Sequence, residues 1–261
     1  MRLSVISSSV EPSPAVRIVR CGGMSIAVPL AEHAVATLIA TTAIRLVHDW
    51  GLVNVPAVLD RARALGPATL ADNVAWDVLV ALPRTRWLDR EQRWFAFADA
   101  GGRFDAALDK VFAIIDRIRF DELRAALGRA LIGARQAPAA VLRRGLVELG
   151  GCTIAPPAGR PAPDKLSASL VERRRPPDPS QSRVLTHPEA TVVELLAQAD
   201  GELDTRTLRR YARAAGVART TVNELIKSSP LLAPVATARP LPAGSQRVRL
   251  IGRGPQIARA R

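Results

Sequence analysis

Arg219, Thr220, Asn223 and Lys227 stand at i, i+1, i+4 and i+8 within ARTTVNELIKSSPLL. On a helix this spacing puts them along one side, while Val222, Leu225 and Ile226 turn to the other. The residue types suit a polyanion with readable edges. An arginine fork matches guanine O6 and N7, and an asparagine amide matches adenine N6 and N7. The preceding segment DTRTLRRYARAAGV adds Arg206, Arg209, Arg210 and Arg213, and the chain beyond adds Arg239, Arg247 and Arg249. Guanidinium groups bind phosphate oxygens through short, charge-assisted hydrogen bonds. The first four residues are therefore base-reading candidates, and the arginines around them are phosphate-binding candidates.

The charge is concentrated where these residues lie. The 261-residue chain carries a formal net charge of +13, and residues 201–261 hold twelve Lys/Arg against three Asp/Glu. Arginine and alanine are also enriched by a GC-rich genome, but a bias of that kind spreads along a chain and does not collect at one end. A clustered basic surface points to nucleic acid as partner.

Other chemistries find little support. His33, His48 and His187 sit in no HxxxH or HExxH pattern, and Cys21 and Cys152 form no CxxC pair. No metal site, disulfide framework or catalytic residue is expected. Neither GxGxxG before a helix nor GxxxxGK[ST] occurs, so no nucleotide cofactor is expected. No run of about 18 apolar residues stands out, so no spanning helix and no membrane partner are expected. The N-terminus lacks the apolar core of a signal peptide. A reducing, cytoplasmic, nucleoid-associated location fits these features.

The elements that must position the candidate residues recur. In the last part of the chain, from Glu189, VVELLAQADGEL reads as a helix and a short strand, and DTRTLRRYARAAGV as a second helix closed by a Gly turn. ARTTVNELIKSSPLL reads as a third helix running into a strand, and RVRLIG as the returning strand. Earlier, AEHAVATLIATTAIRLVHDW is a helix ended by Gly51, LVNV a strand, and PAVLDRARAL a helix with Pro56 in its first turn. ATLADNVAWDVLVAL is the next helix, and TRWL-DREQ-RWFAF a hairpin with a polar tip. Between these two copies RFDAALDKVFAIID, IRF, DELRAALGRAL, APAAVLRRGLVELG and CTIA repeat the order, with ASLVE as the returning strand and Asp121 as a helix cap.

The expected fold is mainly α with short β-hairpins (α+β), built as three tandem winged helix-turn-helix units with the third on a Pro-rich linker. The expected boundaries are a disordered or extended leader at 1–29, unit 1 at 30–100, unit 2 at 101–160, a Pro/Arg-rich linker at 161–188, unit 3 at 189–253 and a basic tail at 254–261. The linker segments PPAGRPAP and RRRPPDPSQS read as a semi-flexible tether. Units 1 and 2 differ from unit 3 in charge. Unit 1 has Asp72 and Asp77 on its third helix and its arginines in the hairpin. Unit 2 has Arg135, Arg143 and Arg144 near its third helix, diluted by Glu148. Acidic groups on a reading face repel phosphate, so unit 1 is expected to act as a scaffold. Trp50, Trp76, Trp87, Trp94, Phe95 and Phe97 are expected to pack cores and hairpin.

The order WGLVNV, RWLDREQRWFAF, RFDAALDKVFAIIDRIRFDELRAALGRAL and AGVARTTVNELIKSSPLL with the closing RLIG resembles a group of bacterial DNA-binding proteins with tandem winged-helix units, some described as sigma-factor-like (region 4). The resemblance spans residues 30–252 apart from the linker. It implies duplex DNA binding in transcription regulation, with Arg219, Thr220, Asn223 and Lys227 as the base readers. The chain departs from the pattern at Ala218, where Ser or Thr normally caps the helix, and it has no aromatic-rich, promoter-melting helix. The rival expectation is a non-enzymatic interaction scaffold that binds RNA polymerase or a chromosome-organising complex through stacked winged helices. A homodimer is compatible with either, since one reading helix spans only a few base pairs.

Overall fold

A computed structural model describes residues 16–66, 70–98, 102–131, 133, 136–156, 169–174, 184–235 and 246–252. Arg135, Arg239 and the tail at 254–261 lie outside the described residues. The protein is α+β, with helices joined to small antiparallel sheets of two or three strands. It divides into two compact units. One comprises the described residues up to Phe104 together with Ala134–Gly145; the other comprises Asp105–Gly133 and the described residues from Leu146 onward.

An antiparallel hairpin opens the first unit, β1 (Val16–Cys21) against β2 (Met24–Pro29). The sequence reading expected an extended or disordered leader there. Val19, Met24, Ile26 and Val28 are buried, because alternation along both strands turns one face of the hairpin to the core. The Gly22-Gly23 turn supplies the positive φ angles that such a tight connection needs.

The order helix–strand–helix–helix–strand–strand follows three times. The first set is α1 (His33–Trp50), β3 (Val53–Asn54), α2 (Val55–Leu65), α3 (Asp72–Ala81), β4 (Thr85–Asp89) and β5 (Trp94–Phe97), with sheet order β3-β5-β4. Asn54 caps α2 by accepting from the Ala57 N–H at 3.0 Å. Leu30–Trp50 is long and apolar enough, by length and composition, to cross a membrane, a feature the sequence reading missed because charged residues interrupt it. Its buried residues Ala36, Ile39, Ala40, Ala43, Leu46 and Val47 belong to the core of the first unit. Trp76, Trp87, Phe95 and Phe97 form an aromatic ladder with centroids 4.6, 5.6 and 5.7 Å apart, the last pair edge-to-face, so these rings pack the hairpin as expected.

The second set is α4 (Arg103–Ile114), β6 (Arg117–Arg119), α5 (Phe120–Ala130), α6 (Ala139–Glu148), β7 (Cys152–Ala155) and β8 (Leu170–Arg173), with sheet order β6-β8-β7. Two expectations change here. Leu170–Arg173 is the returning strand expected at ASLVE and lies within the range assigned to the linker; it is the central strand of its sheet, held between β6 and β7. Asp121 is not the cap of α5. The helix starts one residue earlier because Phe120 is drawn into the core, and the Asp121 carboxylate takes both Nε (3.1 Å) and Nη2 (2.7 Å) of Arg119 instead.

Cys152 is buried on β7, and burial pushes its thiol up to about 11; Asp105 adds to this and Arg173 opposes it. A thiol held protonated and shielded is a poor nucleophile. Iodoacetamide at neutral pH is therefore expected to label half-buried Cys21 and to spare Cys152 until denaturant is added, as peptide masses would reveal.

The third set is α7 (His187–Gln198), β9 (Glu202–Asp204), α8 (Thr205–Ala214), α9 (Arg219–Ser228), β10 (Leu232–Val235) and β11 (Arg247–Leu250), with sheet order β10-β11-β9. The helix opening this set begins at His187, two residues before the expected start. Glu189 folds back over the first turn, its Oε2 accepting from the Thr186 N–H (2.8 Å) and hydroxyl (2.9 Å). The third set shares one compact unit with α5 and most of α4. Lys110 Nζ meets Glu189 Oε1 at 2.7 Å, with Glu189 only 5% exposed. Arg249 reaches Glu122 at 3.2 Å, and Glu122 also accepts from the Gly252 N–H at 3.1 Å. A Cβ on Gly252 would lie 2.9 Å from Ile115. An ion pair to buried Glu189, the half-buried Arg249–Glu122 pair and a glycine-tight contact hold this packing.

Candidate nucleic-acid interface

Helices α8 and α9 are set on their core by Leu208, Ala212, Val217 and Val222, all buried. Leu225 and Ile226 pack against the same core, as their spacing predicts. Gly216, at φ 84°, turns the chain between the two helices, a left-handed conformation that side chains resist. Asp204 caps α8. Its Oδ1 accepts from the N–H groups of Arg206 (3.0 Å) and Thr207 (2.9 Å). Buried Thr205 ties the same end to β11, donating its N–H to the Gln246 carbonyl at 2.8 Å.

The Asp204 carboxyl is held below the usual carboxylate range, first by the Thr207 side chain; burial opposes this, and the backbone N–H groups of Thr207, Arg206 and Asp204 itself add to the lowering. A lowered folded-state pKa stabilises the protein above the unfolded value of about 3.9 and loses that contribution as pH falls through the folded value. Asp204→Ala is expected to cost about 1 kcal/mol at pH 7. The cost should shrink below about pH 4 in thermal melts recorded across pH. A cost independent of pH would show that the cap does not act through its ionised form.

Arg206, Arg209, Arg210 and Arg213 stand at i, i+3, i+4 and i+7 on α8 and so share one stripe. Arg206, Arg210 and Arg213 are exposed and Arg209 is half-buried. No carboxylate pairs with any of them among the described residues. Arg210 lies over the Tyr211 ring, 5.0 Å from its centroid, and Tyr211 is 44% exposed. That cation–aromatic pair was not anticipated, although the adjacent Arg-Tyr was its signal.

The base-reading candidates divide. Arg219 and Thr220 are exposed in the first turn of α9, and no carboxylate pairs with Arg219 among the described residues. Ala218 offers no side-chain cap there, in keeping with its departure from the expected pattern. Lys227 is exposed but sits 3.5 Å from Glu224. Asn223 is half-buried, and its Oδ1 accepts from Arg209 Nε at 2.8 Å. The sequence reading gave these two residues independent roles; the structure joins them.

The strand arginines are engaged within the chain. On β11, Val248 and Leu250 face the core, which leaves Arg247 and Arg249 on the other side. Register sets them opposite Asp204 and Glu202 of β9. Arg247 pairs with Glu202 at 3.0 Å, and Arg249 with Glu122. Glu122 also lies near half-buried Arg129, whose guanidinium is held below its ordinary value first by burial and then by Arg249, while Glu122 opposes the shift. Only antiparallel register and the α5 contact bring these acids to the strand, so no local sequence signal could have found them.

In the first unit, Asp72 pairs with Arg63 at 3.0 Å, which offsets part of the acidic character of α3. Arg86, Arg90 and Arg93 are exposed on the hairpin, with Arg93 5.5 Å from the Trp76 centroid. No cluster of metal-ligating side chains occurs among the described residues. No family model, no curated protein and no solved structure matches this chain.

Proposed function

We propose that each of the three repeated sets is a winged helix-turn-helix, and that the third binds duplex DNA. In this reading α9 enters the major groove, the α8 arginines lie on backbone phosphates and the β10–β11 hairpin is the wing. The supporting observation is the arginine stripe of α8 together with Arg219 in the first turn of α9: all are exposed or half-buried, and none has a carboxylate partner among the described residues. A merely solvated face typically interleaves acids with its bases. On β11, where acids are available, the arginines are paired. The resemblance to bacterial tandem winged-helix proteins agrees with a role in transcription regulation at the nucleoid.

Arg206, Arg209, Arg210 and Arg213 would meet about four phosphates, so the log–log slope of affinity against salt is expected near about −3.6. Fluorescence anisotropy with labelled random-sequence duplexes, titrated across salt, measures it. Binding without salt dependence, or no binding, would overturn the reading.

An interaction scaffold is the second reading, and one feature favours it. A groove of about 620 Å³ runs along α1 in the first unit, lined by Leu38, Thr41, Leu46, Trp50 and Leu65 among others. Leu65 at its rim is 55% exposed. A stable protein partner, held after nuclease treatment and released by Leu65→Glu, is the outcome that would support it.

A further inference from the structure

Resting on the duplex-binding reading, we infer that Asn223 is a positioning residue: it holds Arg209 against one backbone phosphate and does not itself read adenine. The bond between them has one possible polarity. An arginine Nε–H only donates, so the group 2.8 Å away must be the amide oxygen of Asn223. A bidentate adenine contact needs that oxygen to accept from N6 while the amide nitrogen donates to N7. In this protein the oxygen faces back across the seam onto α8. The side chain is half-buried there, not extended from the helix.

Arg209 is in the opposite position. Its Nε is engaged, and both terminal nitrogens have no partner among the described residues. A guanidinium is planar, so fixing Nε fixes the plane in which the terminal pair projects. Its neighbours Arg206 and Arg213, one turn away on either side, have no such brace among the described residues. Arg209 is therefore the ordered member of the stripe, with its fork oriented before the ligand arrives, and phosphate matches that fork. Holding it with a neutral amide keeps its charge; a carboxylate in the place of Asn223 would cancel it.

The test uses the full chain and a pool of random-sequence duplexes, read as affinity, salt slope and base preference at each position, with thermal melts to verify folding. Asn223→Ala is expected to lower affinity for all sequences by about tenfold, the scale of one hydrogen bond to a charged group. The salt slope should become shallower by about 0.9, with the base-preference profile unchanged. In an Arg209→Lys background, where no Nε remains to hold, Asn223→Ala should have no further effect. Asn223→Asp keeps the acceptor and is the variant to use if the alanine protein unfolds. It should weaken all sequences alike.

Four results overturn the inference. Asn223→Ala erases a preference for adenine at one position and leaves the slope intact. Asn223→Asp shifts such a preference towards cytosine, as a base-reading carboxylate would. Asn223→Ala has its full effect in the Arg209→Lys background. Wild-type protein that binds no duplex sinks the duplex reading and this inference together, whereas the first three results leave that reading standing.

Discussion

With Arg206, Arg210 and Arg213 all replaced by alanine, the protein is expected to lose duplex affinity by roughly a thousandfold, taking about 1.5 kcal/mol for each hydrogen bond to a charged group. The salt slope should become shallower by about 2.7, one increment of about 0.9 for each phosphate no longer neutralised. The fold should be untouched. All three side chains are exposed on α8, and none has a carboxylate partner to strand among the described residues. Alanine is also the strongest helix former, which offsets loss of the exposed Arg210–Tyr211 contact. A melting temperature unchanged within a few degrees, together with the affinity loss, would place the stripe at the interface. A variant that still binds within about threefold of wild type would remove it from there.

Glu189→Ala is the substitution expected to destabilise the protein most, by about 3 kcal/mol. The carboxylate is 5% exposed and serves two elements at once, meeting Lys110 of α4 and closing the first turn of α7 at Thr186. Removing it strands a lysine that is itself largely covered, with its side chain 27% exposed, and leaves the Thr186 N–H without its acceptor. Partial solvation of Lys110 keeps the cost at the lower end of the range for broken buried pairs. Lys110→Met combined with Glu189→Leu should recover much of the loss, since a buried pair replaced by apolar groups of similar volume is often neutral. Urea unfolding of wild type, Glu189→Ala and the double variant measures this, with hydrogen exchange at α4 and α7 reporting whether the loss is local. If Glu189→Ala costs under about 1 kcal/mol, the pair is screened by solvent and does not fasten the third set of elements to α4.

Several features of this chain can be read directly from its residues. Apolar positions at helical spacing mark the helices, and Val222 with Leu225 and Ile226 names the inward face of α9. Aromatic arms around a charged tip mark the β4–β5 hairpin, and the isolated LVE segment marks a strand across a long proline-rich gap. The spacing of the α8 arginines puts them on one stripe, because a helix converts sequence separation into direction by local geometry alone. Each of these readings depends on residues within a few positions of one another.

Which charges remain free to meet a ligand is a different kind of question, and only the tertiary structure answers it. Arg247 and Arg249 look as available in sequence as Arg206 and Arg213. Strand register and the α5 contact deliver Glu202 and Glu122 to the first pair and nothing to the second. Asn223 looks like a reader until the seam between α8 and α9 brings Arg209 to it, and Glu189 looks like a surface residue until α4 covers it. The physical reason is range. Helical periodicity is set by bonds along the backbone, whereas the partner of a charge is chosen by packing between segments tens of residues apart. The sequence therefore determined the helices, the strands and the arginine stripe; the folded chain decided which guanidinium groups it keeps for itself.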